Sequence, residues 1–262
     1  LGVVAGKVFS SISVKPAVIL GRDTRISGQM FESALQAGFT SAGVDVVLAG
    51  CIPTPAVAYL TKSMRLTAGI VISASHNSYQ DNGIKFFDGN GNKLPDQIER
   101  TIECTFNDRS FYNTNTTLGK VNNLNDAAGR YIEFCKRTFP TQLSLRGLHI
   151  IVDAAHGASS GVIEAVLKEL GAKVTSVASS PNGVNINKNV GTTFPENIAK
   201  AIINFSGDFG IALDGDGDRF LVVDEKGRIF QGDELLYSTA KDMVRVKGLN
   251  NVQGVVGTLM SN

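Results

Sequence analysis

The amino-acid sequence predicts consecutive α/β domains in which strands and helices form layers. Three observations lead to this fold class. Short apolar runs alternate with segments of helical periodicity along the chain. The alternation is interrupted by a polar, Asn- and Thr-rich stretch at residues 107–123 and then starts again. The length of 262 residues is enough for about two domains of roughly 100–150 residues each.

The first half of the chain alternates strands with helices from residue 17 onward. Apolar runs predict strands at residues 17–20, 45–49, 68–73 and 84–87. Periodicity predicts helices at residues 29–43, 56–64, 95–106 and 124–138. Ser27 is placed to cap the first of these helices, and Pro55 to open the second. The stretch at 107–123 is expected to be an irregular connection.

The second half repeats this alternation without repeating the sequence. Strands are predicted at residues 149–153, 173–178, 209–213, 220–224, 228–230 and 252–259, and helices at 160–170, 197–205 and 233–246. We expect domains at residues 1–142, 143–229 and 230–262. The chain opens like the tail of a helix and stops inside the last predicted strand, so we expect a fragment of a longer protein.

Composition argues against several classes of partner. The chain has 25 Lys and Arg against 24 Asp and Glu, a balance that gives no reason to expect a nucleic acid or an anionic membrane. The longest mostly apolar stretch, residues 46–60, is broken by two prolines and is too short to span a bilayer. Three cysteines without a C-x-x-C pair favour a reducing cytoplasm over a disulfide framework.

The strongest local feature is the acidic loop, Asp-Gly-Asp-Gly-Asp-Arg at residues 214–219, which directly follows an apolar strand. Its carboxylates, Asp214, Asp216 and Asp218, can turn inward together because the intervening glycines permit unusual backbone angles. Three acidic oxygens without His or Cys nearby suit a hard cation, Mg²⁺ or Ca²⁺. Clustered like charges repel one another unless a cation offsets them, which argues against a solvated acidic turn.

Two other chemistries are open for the acidic loop. A calcium loop of the EF-hand type would use Glu225 at its twelfth position, but Arg219 occupies the sixth position, where glycine is needed. An aspartyl-nucleophile phosphatase also carries an Asp-x-Asp pair after a strand and would form an aspartyl phosphate on Asp214. The third aspartate, Asp218, fits a metal ligand better than a nucleophile site.

The second feature is the serine loop, Ser-Ala-Ser-His-Asn-Ser at residues 73–78, which follows another predicted strand. Such loops at the carboxyl ends of strands hold the ligands of many α/β proteins. Ser75 offers a hydroxyl nucleophile, while His76 and Lys85 offer an imidazole and a cation, a set that suits phosphoryl transfer. Ser75 is not the serine of a G-x-S-x-G elbow, and the sequence contains no Walker loop.

A third loop, at residues 21–28, lies between a strand and a helix and carries two arginines. Arginines at a helix start favour an anion nearby. The alternative is a structural loop in which Arg22 or Arg25 pairs with Asp23. The residues themselves leave both readings open.

Taken together and in this order, the three loops resemble the α-D-phosphohexomutase family. Within that family, residues 72–77, 81–87, 182–187 and 257–262 look most like the bacterial members that act on glucosamine phosphates. The resemblance covers essentially the whole chain and implies phosphohexomutase-like domains with mixed sheets sandwiched between helices. It also implies that an N-terminal segment, most of domain 3 and all of domain 4 are missing here. One residue departs from the motif, because Ser78 stands where the family usually has Pro.

The resemblance implies a mechanism and a role for each candidate. Ser75 would carry the phosphoryl group, and Mg²⁺ would bridge the phosphoserine to Asp214, Asp216 and Asp218. A sugar bisphosphate would form and return its other phosphoryl group to the serine. Three further residues are implied at the reacting centre: Lys85 as acid–base group, His76 as its alternative and Arg219 as a contact to substrate or phosphoserine.

The implied activity is the interconversion of glucosamine 6-phosphate and glucosamine 1-phosphate, which feeds UDP-N-acetylglucosamine synthesis. Phosphomannose or phosphoglucose is the alternative substrate within the family. A metal-dependent phosphatase and a non-catalytic cation-binding module are more distant alternatives. The implied partners are a phosphorylated hexosamine substrate and a hexose bisphosphate activator, and the expected location is the cytoplasm.

Overall fold

The computed structural model describes residues 1–108, 117–248 and 251–258. The described part contains eight α-helices: α1 Gly2–Ile12, α2 Gly28–Ser41, α3 Thr54–Ser63, α4 Asp96–Thr105, α5 Ala127–Thr138, α6 Val162–Glu169, α7 Glu196–Phe205 and α8 Gly232–Lys247. It contains ten strands: β1 Ala17–Arg22, β2 Asp45–Cys51, β3 Ala68–Ile72, β4 Ile84–Asp88, β5 Val121–Asn123, β6 His149–Asp153, β7 Lys173–Val177, β8 Phe209–Leu213, β9 Phe220–Asp224 and β10 Ile229–Phe230. The predicted α/β class and mixed sheets are confirmed.

The strands form two five-stranded mixed sheets. The first sheet has the order β4-β3-β1-β2-β5 and the second the order β10-β9-β8-β6-β7. In the first sheet β4 runs antiparallel to β3, and in the second β9 runs antiparallel to β8. The four strands β2-β1-β3-β4 therefore correspond to β7-β6-β8-β9 in order and in direction. The two halves repeat one topology although their sequences do not repeat.

Each sheet is covered by helices on both faces. In the first sheet, side chains such as Val18 and Ile70 pack with α1, α2 and α4, while Ile19 and Val71 on the opposite face pack with α3 and α5. In the second sheet, Ile151 packs with α7 and the alternate residues of β6 pack with α6. Such alternation is expected for strands buried on both faces.

Three local expectations differ from the structure. The predicted strand at 252–259 is wrong over residues 252–258, which contain no strand and are mostly exposed, whereas residue 259 lies outside the described residues. The predicted irregular stretch at 107–123 ends in the short strand β5, which pairs with β2, while residues 109–116 lie outside the described residues. Ser27 occupies the N-cap of α2, but its side chain makes no capping hydrogen bond.

Strand ends set the position of the functional loops. The serine loop follows β3 and the acidic loop follows β8, which are equivalent strands of the two sheets. Ligand sites of α/β proteins commonly lie at the carboxyl ends of parallel strands. Among the described residues, no helix combines the length and the apolar character needed to cross a bilayer.

Candidate active site at the meeting of two loops

The serine loop and the acidic loop contact each other directly. Ser75 Oγ donates a hydrogen bond to Asp214 Oδ2 over 2.7 Å, although 139 positions separate the two residues in the chain. Both side chains are buried. The structure therefore brings together the predicted nucleophile and the first predicted metal ligand.

Ser75 has an unusual backbone conformation. Its φ of 51° lies in the left-handed region, which residues other than glycine seldom adopt and which is enriched at functional sites. The backbone N–H of Ser75 donates to Ser73 Oγ over 2.9 Å, and Ser73 Oγ in turn donates to Asp23 over 2.5 Å. The surrounding hydrogen bonds thus hold the loop in a conformation that the chain alone would not prefer.

In the half of the chain that forms the first sheet, Arg25 holds the serine loop through hydrogen bonds to its main chain. Its guanidinium is fully buried and pairs with Asp23. The same group donates to the carbonyl oxygens of Ser75, over 3.2 Å, and of Asn77, over 2.6 Å. Arg22 pairs instead with Glu32. Of the two readings of the loop at 21–28, the structural one therefore holds for Arg25.

The acidic loop turns its three carboxylates toward one point. One oxygen from each of Asp214, Asp216 and Asp218 lies within 4.8 Å of the others. Asp214 Oδ1 accepts the backbone N–H groups of Asp218 and Arg219, each over 3.2 Å. Gly217 supplies the left-handed turn, with φ of 70°.

Two residues from the first half of the chain bind Asp216. Lys85 Nζ lies 2.6 Å from Asp216 Oδ2 and 3.4 Å from Asp218 Oδ2. The hydroxyl of Thr54 donates to the same Asp216 Oδ2 over 2.6 Å. The other oxygen, Asp216 Oδ1, is buried and has no hydrogen-bond partner among the described residues. That oxygen retains a free acceptor beside two further carboxylates.

Burial and charge shift the pKa values of these groups. Burial, together with the neighbouring charges of Asp216 and Asp218, raises the pKa of Asp214 to about 6. For Asp216, burial alone would raise the pKa, but the hydrogen bonds from Lys85 and Thr54 outweigh it and lower the pKa. For Lys85, burial alone would lower the pKa, but contact with Asp216 outweighs it and raises the pKa.

The residues present fit a hard divalent cation. Oxygen-only donor sets are those that Mg²⁺ and Ca²⁺ prefer. Three carboxylates against one lysine ammonium leave an excess of negative charge, and the unpartnered Asp216 Oδ1 is a buried acceptor without a donor. A cation at this point would offset the excess negative charge and bind the buried Asp216 Oδ1.

Within the part of the chain that the structure describes, the side chains of the other two predicted residues, His76 and Arg219, are exposed and form no hydrogen bond to Ser75. His76 is exposed and borders a cavity of about 600 Å³, whose lining also includes Tyr79, Lys188 and Phe194. Arg219 is exposed, and its Nε lies 3.9 Å from Asp218 Oδ1. The assignment of His76 and Arg219 to the reacting centre stays a prediction.

A third segment contributes to the site and was not singled out for any role by its sequence. Asn187 is buried, and its side-chain Nδ2 donates to the carbonyl oxygens of Ser75 and Asn77, each over 2.9 Å. Its φ of 58° is left-handed. An Asn in a run of Asn, Lys and Gly carries little signal beyond a turn, so only the fold reveals this contact.

The chain has two α/β halves, and each half places a polar loop after the equivalent strand of its sheet. These loops bring a serine against three aspartates. This combination is typical of the phosphohexomutases. The comparisons agree with that class. Residues 1–113 match the α/β/α domain I of phosphoglucomutase/phosphomannomutase, and residues 129–227 match domain II. The chain belongs to the phosphoglucomutase/phosphomannomutase family, the α-D-phosphohexomutases.

The curated relatives that match this chain carry the name of one member of the family. The chain is 54% identical, over 268 aligned residues, to proteins named phosphoglucosamine mutase from Burkholderia mallei and Burkholderia pseudomallei. The alignment covers 100% of this chain and 59% of those proteins. The chain thus spans a little over half the length of the curated relatives it matches.

Solved structures show the same fold. A phosphoglucomutase/phosphomannomutase family protein from Burkholderia thailandensis superposes with a TM-score of 0.80 at 27% identity, covering 94% of this chain and 55% of that one. The open form of parafusin, a phosphoglucomutase from Paramecium, gives 0.63 at 16% identity, with 91% and 52% covered. An Aspergillus fumigatus N-acetylphosphoglucosamine mutase, solved with GlcNAc-6P and magnesium, gives 0.50 at 19% identity, with 89% and 40% covered.

Proposed function

We propose that the protein to which this chain belongs is an intramolecular phosphotransferase that interconverts glucosamine 6-phosphate and glucosamine 1-phosphate. The observation that carries the proposal is the hydrogen bond between Ser75 Oγ and Asp214 Oδ2 within the aspartate triad. A hydroxyl held against a cation site is suited to accept and return a phosphoryl group. The 54% identity to phosphoglucosamine mutases favours an amino sugar over mannose or glucose phosphates.

Mg²⁺ is the proposed metal, held by Asp214, Asp216, Asp218 and a phosphate oxygen on Ser75. When bound, it would neutralise charge on the phosphate and on the three carboxylates. The fungal protein of this fold was solved with magnesium, which supports the choice over Ca²⁺. The unpartnered oxygen of Asp216 is the acceptor most in need of such a ligand.

Each transfer exchanges one P–O bond for another. In the forward step, the bond between Ser75 Oγ and phosphorus breaks, and a bond from phosphorus to a sugar hydroxyl oxygen forms. The hydroxyl loses its proton as it attacks, and Ser75 Oγ gains one as it leaves, so the balance is neutral. The resulting sugar bisphosphate then turns in the cleft and returns its other phosphoryl group to the serine.

Three residues are proposed to assist these steps. Lys85 is assigned as the acid–base group and as a cation near the phosphate, because its ammonium already lies against Asp216 and Asp218. His76 is the alternative acid–base group, since it borders the adjoining cavity. Arg219 is assigned as a contact to the substrate or the phosphoserine.

The organisation of the whole protein is proposed on the same basis. We assign domain 1 to residues 1–142, domain 2 to 143–229 and the start of domain 3 to 230–262. A phosphorylated hexosamine is the proposed substrate, a hexose bisphosphate the activator and the cytoplasm the location. The two family matches, over 1–113 and 129–227, support the first two domains.

Phosphopeptide mass spectrometry of the complete protein, purified without phosphatase treatment and then incubated with a hexose bisphosphate, tests the proposal. We expect phosphate on Ser75. Phosphate on Asp214 would point to an aspartyl phosphatase. If Ser75 stays unmodified after incubation, the mutase function is contradicted, and a non-catalytic cation-binding module becomes the better explanation.

A further inference from the structure

We propose that Asn187 is a positioning residue for the phosphoryl-transfer serine, an inference that rests on the proposed function. The side-chain amide of Asn187 and the guanidinium of Arg25 bind the same two carbonyl oxygens, those of Ser75 and Asn77. One donor group comes from each half of the chain. The conformation of the serine loop therefore depends on where the second half lies.

The geometry uses the full hydrogen-bonding capacity of these groups. A carbonyl oxygen has two lone pairs, and here each accepts one bond from Arg25 Nη2 and one from Asn187 Nδ2. The Nδ2 group has two hydrogens, one for each carbonyl. Loss of the amide would leave two buried or half-buried acceptors with one donor each, beside the strained backbone of Ser75.

The position of Asn187 is itself fixed by its surroundings. Its backbone N–H donates to the carbonyl of Ala155 over 2.9 Å. Gly215, in the acidic loop, packs so closely that an added Cβ would lie 2.6 Å from Asn187 Nδ2 and 2.8 Å from Ser75 O. The amide is thus wedged between the acidic loop and the serine loop and sets their separation.

This arrangement predicts an effect on transfer more than on substrate binding. Asn187 contacts main-chain atoms of the serine loop and makes no hydrogen bond to the carboxylates among the described residues. A small misplacement of a reacting group can lower a rate about 100-fold. We therefore expect the loss to appear in kcat and in the single-turnover rate, with KM for the sugar phosphate changing little.

The test uses Asn187→Asp and Asn187→Gly in the complete protein. Asp keeps the shape and Gly keeps the left-handed backbone, while both remove the amide donors. Asn189→Asp and Asn189→Gly are matched controls, because Asn189 has φ of 56° and is exposed two residues away. The protein is phosphorylated with hexose bisphosphate and mixed with sugar monophosphate, and loss of serine phosphate is followed by intact-mass spectrometry.

We expect transfer to slow by about 10- to 100-fold in both Asn187 variants, with KM within about threefold, and normal rates in both Asn189 variants. Near-UV circular dichroism reports the folded fraction of each variant. Unchanged transfer, or a loss that only follows the folded fraction or is shared by the Asn189 pair, would overturn the positioning role. Turnover that persists in Ser75→Ala would instead refute the proposed function itself.

Discussion

Ser75 and Asp214 lie in equivalent loops of two copies of one topology, and their side chains meet at 2.7 Å. Ser75 follows β3, which pairs in parallel with β1 and antiparallel with β4. Asp214 follows β8, which pairs in the same way with β6 and β9 of the second sheet. One copy supplies Ser75 and the other the three carboxylates. Neither half holds the site without the other.

Ser75→Ala should abolish turnover while the protein stays folded. The substitution removes the hydroxyl and one hydrogen bond to Asp214, a change worth about 0.5–3 kcal/mol of stability. Coupled assay of glucosamine 1-phosphate formation by the complete protein measures the effect. Ser78→Ala is the control, since Ser78 is exposed in the same loop and should keep its activity. Normal turnover in Ser75→Ala would exclude the phosphoserine mechanism.

Asp216→Asn should weaken Mg²⁺ binding by at least about 10-fold and lower the rate with it. The variant removes charge from the carboxylate whose Oδ1 has no hydrogen-bond partner within residues 1–108, 117–248 and 251–258. Isothermal titration with Mg²⁺ in the absence of sugar measures affinity apart from activity. Glu225→Gln serves as the control and also tests the EF-hand alternative, which requires Glu225. Equal affinity in Asp216→Asn and the parent would remove this residue from the metal site.

Thr54→Val should lower Mg²⁺ affinity, although Thr54 is not itself a proposed metal ligand. Its hydroxyl orients Asp216 through a 2.6 Å hydrogen bond, and partners that orient ligands affect affinity by about 10- to 100-fold. Thr61→Val on the same helix is a close match, because Thr61 is also buried but its hydroxyl donates within the helix, to the carbonyl of Val57. Comparable Mg²⁺ titrations for the two variants would show that Thr54 has no such role.

Arg25→Met should destabilise the protein by about 3–5 kcal/mol near neutral pH, since Asp23 would lose its buried partner. Burial already raises the pKa of Asp23, although Arg25 opposes the shift. A raised pKa in the folded state means that stability falls as pH rises above the unfolded value of about 4.

The stability deficit of Arg25→Met relative to the parent should therefore be small in acid, where Asp23 is protonated in both proteins, and grow once the pH passes the raised pKa of Asp23 in the parent. Urea unfolding between pH 4 and 8 measures it. Arg22→Met, which breaks the less buried pair with Glu32, should show a smaller deficit. A deficit for Arg25→Met that does not change with pH would argue that Asp23 stays ionised throughout.

Gly215→Ala should reduce both stability and turnover, because its Cβ would lie 2.6 Å from Asn187 Nδ2 and 2.8 Å from the Ser75 carbonyl. The acidic loop would have to withdraw from the serine loop. Gly129→Ala in helix α5 should instead stabilise the folded protein by about 0.5–1 kcal/mol. No atom among the neighbouring described residues lies within 4 Å of the added Cβ. Thermal unfolding and turnover of both variants decide the matter. A Gly215→Ala protein as active as the parent would contradict the close packing.

The sequence predicts the fold well, for physical reasons, and it names the residues that meet in the candidate site. Apolar periodicity is strong in strands and helices buried on a large face, so their order and approximate limits are confirmed. Ser75 and the three aspartates lie in compact motifs at strand ends. Loops at the carboxyl ends of strands commonly hold ligands, but β3 and β8 belong to different sheets, so the meeting of the two loops follows from the family resemblance and not from strand geometry.

The features that the sequence does not predict depend on tertiary contacts. Strand β5 has only three residues, all exposed, and forms because β2 offers it a free edge. Thr54 lies outside the motifs named above, and Asn187 lies in the stretch 182–187, which carries a family resemblance but no chemical role. The contacts of both residues follow from the partners that folding places beside them. The last predicted strand, at 252–259, is apolar enough but has no sheet partner over its described residues.

The double support of the Ser75 carbonyl has a consequence for synthesis of the chain. Arg25 precedes the serine loop, but Asn187 follows Ser75 by 112 positions and Asp214 by 139. At roughly 5–20 residues per second, a growing chain emerges with its serine loop about 7–28 s before the acidic loop is made. During that interval the serine lacks half of its supports and all of its acidic partners. The contacts around the Ser75 hydroxyl are thus completed only after the second half of the chain has been made.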